Sequence, residues 1–381
     1  MSTAEVAAVR PKARDYAKNP MLVYWETTQA CALACRHCRA NAMPACHPDQ
    51  LTRAEGRELL QQIAGFGEPL PHLVLTGGDP LEREDLFELI DRATALGLSV
   101  SVTPSVTPEL TGDVIAMLRA HGVHSIGLSL DGSTAALHEA VRGVEGCFGW
   151  TMAALHAAAK IGMPVQVNTL LTEETADDLF CIYSLLTQFK IMRWSIFFLI
   201  ATGRGASLRE VSPERGEQLM KLVYDLAQTA PFAIKTTEAP SYRRIALNQM
   251  RSNGMMCDRV QKASIYQGFG IRDGNGIVFV SHQGDIYPAG FLPLAAGNVR
   301  RDRLADVYRS SPLFKALHDP DALKGRCGEC EYRRICGGSR ARAFAHTGDP
   351  LECDPLCTYS GKRQMAEDLR SFQAAPVHPL A

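Results

Sequence analysis

The sequence has no long apolar run, and none of its hydrophobic stretches approaches the roughly 18 residues of a membrane helix. It also has no excess of either charge. The 40 Lys and Arg against 41 Asp and Glu leave a formal net charge of −1, so bulk electrostatics give no reason to expect nucleic acid or an acidic partner. Met1 to Asn19 carry scattered charges and no hydrophobic centre, which is not the pattern of a signal peptide, and the cytoplasm is the expected location. Fixed-period repeats and low-complexity tracts are missing too. What remains is a chain of 381 residues, 46% of them hydrophobic, enough for one large α/β domain and a smaller one.

Cysteine is the residue the chain does have in excess. Of its 12 cysteines, three lie at 31–38 and five at 327–357, while Cys46, Cys147, Cys181 and Cys257 stand apart. A secreted disulfide scaffold is usually shorter and carries a signal sequence. Clustered thiols in a reducing compartment argue for metal instead.

Strand-like and helix-like stretches alternate from 21 to 200. Met21 to Glu26 reads as a strand and is followed by the first cysteine group. Thr52 and Glu55 form a capping box for a helix through Ile63 that closes at Gly65. His72–Thr76, Leu98–Val102, Ser125–Leu130, Val165–Leu170 and Trp194–Ile200 read as further strands. Helices are expected around Leu86–Leu96, Asp113–His121, Trp150–Ile161 and Thr175–Phe189. This order predicts parallel strands joined by right-handed crossovers in a partial (β/α)6 barrel. Its sites belong at the C-terminal ends of the strands. A helix near Pro213–Thr229 follows. Gly268 to Gly290, with Ile277–Ser281 and a turn at Gly284-Asp285, reads as a β-hairpin in a smaller cysteine-rich domain. The expected division is a lead-in at 1–20, a barrel at 21–235, the smaller domain at 236–365 and a tail at 366–381.

The group Cys31-x3-Cys35-x2-Cys38 can hold three corners of an iron–sulfur cluster and leave one iron open. Alone it also permits a zinc knuckle, with His37 or a distant cysteine as fourth ligand. After the next strand comes Gly77-Gly78-Asp79-Pro80, a turn whose glycines let backbone approach a small ligand closely. The two motifs together resemble the radical S-adenosylmethionine (SAM) superfamily. The resemblance implies a [4Fe–4S] cluster on Cys31, Cys35 and Cys38, with SAM on the open iron and its amino group near the Gly77–Pro80 turn. It further implies Ser129 and Asp131 near the SAM ribose, Arg142 of His138-x3-Arg142-Gly143 near its carboxylate, and Asn168 near the adenosine. Each of these four is equally readable as a satisfied polar residue at a strand end. Gly203-Arg204-Gly205 reads as a loop feature.

The second group is Cys327-x2-Cys330-x5-Cys336, then Cys353 and Cys357. Spacing alone leaves zinc and a cluster open. Beside a radical SAM core the group resembles the SPASM extension, which carries auxiliary clusters. Full SPASM domains place a cysteine in the hairpin, where this chain has Tyr287-Pro-Ala-Gly290, and another where it has Ser339. The resemblance therefore implies one auxiliary [4Fe–4S] cluster on Cys327, Cys330, Cys336 and Cys357, with Cys353 competing as fourth ligand. Cys257 is left for a degenerate second site. Cys147 and Cys181 read as core residues and Cys46 as a loop thiol. The segment Cys336 to Cys357 resembles that of radical SAM enzymes of haem and haem d1 biosynthesis. Arg340 and Arg342 then stand as propionate contacts and His346 as an axial ligand or proton donor, or all three stabilise the fold.

The implied activity is reductive cleavage of SAM, releasing methionine and a 5′-deoxyadenosyl radical, with a flavodoxin or ferredoxin as electron donor. Three substrates remain open: a haem-type tetrapyrrole side chain, a ribosomally made peptide, or another small molecule with non-standard SAM cleavage. The short stretch before the first strand has no room for a peptide-docking segment. A structural zinc or iron–sulfur protein is the non-catalytic alternative.

Overall fold

The computed structural model describes residues 14–253, 268 and 270–360. Six strands lie side by side in parallel: β1 (Leu22–Glu26), β2 (His72–Thr76), β3 (Val100–Val102), β4 (Ser125–Ser129), β5 (Val165–Leu171) and β6 (Arg193–Phe198). Between and after them run α1 (Arg53–Ala64), α2 (Leu86–Ala95), α3 (Gly112–Ala120), α4 (Ala135–Arg142), α5 (Cys147–Ile161), α6 (Leu179–Leu186) and α7 (Pro213–Thr229). The expected α/β fold with a partial barrel of parallel strands is present.

Alternation along the strands decides which side is which. Leu73 and Leu75 of β2 are fully buried and face the helices. His72, Val74 and Thr76 between them are half-buried and face the concave side. The helices answer with their own apolar stripes. In α1, Leu59, Leu60 and Ile63 are fully buried. The Thr52–Glu55 capping box starts that helix as the spacing predicts.

The sheet goes further than expected at both sides. A seventh parallel strand, β7 (Ala233–Thr237), pairs with β6. The expected hairpin is formed by β8 (Ile277–Val280) and β9 (Asp285–Tyr287), with β10 (Gly297–Asn298) beside it. It is not separate from the barrel, because β8 pairs parallel with β1 from Leu22 to Trp25. The physical reason is that β1 would otherwise expose an unpaired edge. Among the described residues, all ten strands make one sheet, in the order β10-β9-β8-β1-β2-β3-β4-β5-β6-β7. Residue 235, the expected boundary, lies inside β7.

Smaller differences have local causes. The helix expected from Thr175 is a 3-10 turn at Ala176–Asp178 followed by α6, which ends at Leu186. Cys181 is exposed and is not a core residue, because α6 buries Leu179, Ile182 and Leu186 on its other face. Cys147, at the start of α5, is buried as expected, and Cys46 is exposed. Cys257 lies outside the described residues. Among the described residues, no helix is long and apolar enough to cross a membrane.

Candidate active site

The loop after β1 carries the first three thiols to the C-terminal end of the parallel strands. Cys31 and Cys35 are buried with Leu33, and Cys38 packs beside them with Val144 and Trp150. Each sulfur accepts one donor at 3.3 Å: Cys31 from the Leu33 amide, Cys35 from Arg142 Nη1, and Cys38 from the Ala42 amide. Such donors stabilise electron-rich sulfur, as in a cluster ligand. Burial raises the Cys31 pKa, and Ser105 Oγ, 3.2 Å away, opposes the shift.

Two braces fix this loop. Arg39 donates to Glu26 at 2.7 Å, and Glu26 also accepts from His282 Nδ1 at 2.6 Å. Arg204 Nε donates to the Cys35 carbonyl at 2.9 Å and its Nη1 to the Ala42 carbonyl at 3.2 Å. Gly203 (φ +55°) brings backbone so close that a Cβ there would lie 2.6 Å from the Cys38 carbonyl oxygen. Gly203-Arg204-Gly205 is therefore a clamp on the cysteine loop. His37 is half-buried, and desolvation lowers its pKa to about 4.

The Gly77–Pro80 turn packs directly on the chain leading into the thiols. Gly78 N–H donates to the Thr28 carbonyl at 2.8 Å and Asp79 N–H to the Ala30 carbonyl at 2.6 Å. A Cβ on Gly77 would lie 2.5 Å from Thr28 O, and one on Gly78 only 2.2 Å from Ala30 O. Only glycine permits that approach. Asp79 caps the following turn, accepting from Leu81 and Ser105 amides, and burial raises its pKa to about 6. Pro80 is buried at the start of that turn.

Arg142, at the end of α4, bridges two of the expected site residues. Its Nε pairs with Asp131 at 3.1 Å while its Nη1 reaches Cys35. Asp131 is buried, and its other oxygen accepts from the Leu170 amide at 2.8 Å. Burial works against that carboxylate, but Arg142, His37, His138 and the Leu170 amide together outweigh it and lower the pKa. Asp131 thus acts on Arg142. His138 is buried in α4, and its Nδ1 accepts from the Asp131 amide at 2.9 Å. Asn168 lies in the middle of β5, not at its end, and pairs in register with Ser129 on β4. It accepts from Gln166 at 2.8 Å. The structure brings the three thiols, the glycine turn, Asp131 and Arg142 together at one end of the sheet. Arg39, Glu26, His282 and Ser105 are members of the site that sequence reading missed. Only the placement of Arg39 one residue after Cys38 was a signal for any of them.

All five C-terminal thiols line one cavity. Burial raises Cys336 to about 12 and Cys330 to about 11, with smaller contributions from Cys357 and Cys327. Backbone amides donate to four sulfurs: Asp354 to Cys327, Tyr332 to Cys330, Gly338 to Cys336 and Tyr359 to Cys357. Cys353 lies against Gly325 and accepts from the Arg326 amide. Among the described residues, no three His, Cys, Asp or Glu side chains converge closely enough to hold a single metal ion. Thiolates are the donor type that holds iron–sulfur clusters, and each group supplies at least three of them.

Arg340 and Arg342 do not face a substrate. Both are almost fully buried. Arg340 donates to the Gly338, Pro350 and Glu352 carbonyls, and Arg342 to those of Glu238 and Leu199 and to Glu210. Arg340 braces the cysteine segment internally, and Arg342 ties it to the barrel. His346 is on the surface, 3.3 Å from Glu210.

Comparison with known proteins places this geometry. A family model described as the radical SAM superfamily matches residues 25–185. The AdoMet-dependent heme synthase of Methanosarcina barkeri is 36% identical over 89% of this chain and 97% of its own. The pre-heme d1 synthase of Dinoroseobacter shibae is 29% identical over 88% of this chain and 85% of its own. Among solved structures, Streptococcus suis SuiB bound to precursor peptide SuiA shares the fold. Its TM-score is 0.70 at 17% identity, over 90% of this chain and 76% of that one. Three thiols on a β1 loop, backed by a glycine turn that admits no Cβ, are what such a relationship requires, and the chain belongs to the radical SAM superfamily.

Proposed function

We propose that this radical SAM enzyme converts propionate side chains of an iron porphyrin to vinyl groups, releasing CO2. The observation that carries the reading is similarity to a heme synthase along nearly the whole of both chains. To become vinyl, the side chain loses CO2, one hydrogen atom and one electron. When bound, the cluster and SAM supply a one-electron C–S cleavage whose product accepts a hydrogen atom.

This chain's residues hold and screen that chemistry. Cys31, Cys35 and Cys38 hold the cluster, and the Gly77–Pro80 turn receives the SAM amino group. Arg142, positioned by Asp131, serves the SAM carboxylate. Ser129 and Asn168 face its nucleoside portion. Cys327, Cys330, Cys336 and Cys357 hold an auxiliary cluster able to pass single electrons, and Cys353 stays at its rim. The functional division runs near 235, with 21–235 serving SAM and 236–365 serving the auxiliary cluster. A flavodoxin- or ferredoxin-type donor reduces the enzyme in the cytoplasm.

The test is anaerobic reconstitution with iron, sulfide, SAM and a reductant, then incubation with iron coproporphyrin. Mass spectrometry should find stepwise loss of the elements of formic acid from the porphyrin. SAM cleavage with an unchanged porphyrin would overturn the reading. A precursor peptide offered in its place is the control for the peptide alternative.

A further inference from the structure

Arg193 is the first residue of β6, and Lys235 lies opposite Ser195 on β7. Neighbouring Trp194 is fully buried against the helices, so Arg193 takes the concave face. Groups far along the sheet report the same thing. Tyr24 of β1 and His72 of β2 both sense the Arg193 charge, and His72 also senses Lys235. In strand order β1 and β6 are five steps apart, so this charge is felt across the barrel interior. Both cations keep partial exposure, as residues lining an internal space do.

No anion answers them. Among the described residues neither makes an ion pair; Arg193 donates only to Gln166 Oε1, at 3.4 Å. The nearby titratable groups supply no charge of the right sign. Burial keeps His72 neutral, with a pKa of about 4, and Tyr24 neutral up to about 12. Glu238 is driven well above the usual carboxylate range by burial and by Asp273, to which it is hydrogen-bonded. Burial, and then Arg193, lowers Lys235 to about 8. Two enclosed cations side by side are unfavourable until an anion completes them. Gln166, which contacts Arg193, also hydrogen-bonds Asn168 two residues on. Arg193, in register with Gln166, therefore lies about 7 Å along the strands from Asn168, away from the thiols, while Lys235 is level with Ser195 and so with Asn168.

We propose that Arg193 and Lys235 form an anion subsite inside the barrel that binds a carboxylate of the substrate remote from the reacting side chain. This rests on the porphyrin reading above: a substrate with several propionates presents one to the SAM end and another to this pair.

The experiment is a Soret-band titration of the reconstituted enzyme with iron coproporphyrin and, separately, with its tetramethyl ester. The enzyme, Arg193→Gln, Lys235→Met and the conservative Arg193→Lys are compared. The wild type should bind the acid at least tenfold more tightly than the ester. Arg193→Gln and Lys235→Met should each weaken acid binding about tenfold or more, leave ester binding unchanged, and retain SAM binding by the cluster's electron paramagnetic resonance. Arg193→Lys should recover part of the loss. Equal acid affinity in wild type and variants overturns the subsite and leaves the porphyrin reading standing. Parallel loss of acid and ester makes the residues structural and also overturns it. A wild type that binds neither porphyrin overturns both.

Discussion

Replacing Gly78 with Ala tests the link between the glycine turn and the thiols. The new Cβ would stand 2.2 Å from Ala30 O and 2.6 Å from Gln29 O, both backbone atoms. The turn must back away by roughly an ångström to restore contact distance. That stretches two hydrogen bonds, Gly78 N–H to Thr28 O and Asp79 N–H to Ala30 O, beyond useful range. At about 0.5–1.5 kcal/mol each, their loss costs about 1–3 kcal/mol. The cost falls on the local arrangement of turn and loop, since the sheet behind them keeps its own pairing. A penalty of that size corresponds to about a 5- to 150-fold loss of the competent arrangement. Isothermal titration of the anaerobic, reconstituted variant should therefore show SAM binding weakened roughly tenfold or more. Helical circular dichroism should be unchanged. Gly149→Ala is the control. It lies exposed within α5 with nothing near its would-be Cβ, and should be neutral or stabilising by up to about 1 kcal/mol. Wild-type SAM affinity in Gly78→Ala would refute the argument that close backbone packing holds the site.

Other perturbations separate the remaining parts. Cys336→Ala and Cys357→Ala should each lower total iron while leaving the spectrum of the N-terminal cluster, and Cys353→Ala should keep wild-type iron; a Cys336 variant without any iron would contradict two separate sites. Arg204→Met removes two donors to the cysteine loop and should lower iron retention and SAM affinity, whereas Arg36→Met, which breaks an exposed pair with Glu174, should change neither. His72 and His318 are half-buried with pKa values lowered by desolvation to about 4 from 6.5. The unfolded chain binds protons that the folded chain refuses between those values, so stability should fall as pH drops from 6.5 towards 4. His72→Gln should flatten that slope in urea unfolding followed across the same range.

Much of the molecule was legible in its residue order. The β1 to β6 strands follow from apolar stretches at regular spacing, and the Thr52–Glu55 box and Pro213 start their helices where expected. Cys31, Cys35, Cys38 and Gly77–Pro80 declare their chemistry because ligand spacing and glycine turns are local properties. Other features were not local. β7 was missed because Lys235 breaks the apolar character of a short run; a charge is tolerated there only because it faces the barrel interior. The pairing of β8 with β1 joins residues some 250 apart in the chain, and no pattern in either stretch names its partner. Arg340 and Arg342 look in sequence like free cations near a cluster. Only the folded chain wraps them in carbonyls and carboxylates. Sequence alone thus determined the strand–helix alternation, the three-cysteine loop and the glycine turn, because each is written in neighbouring residues. Which cations are spent on the fold and which stay open inside the barrel was decided by tertiary structure, because an ion pair or its absence depends on groups brought together from distant strands.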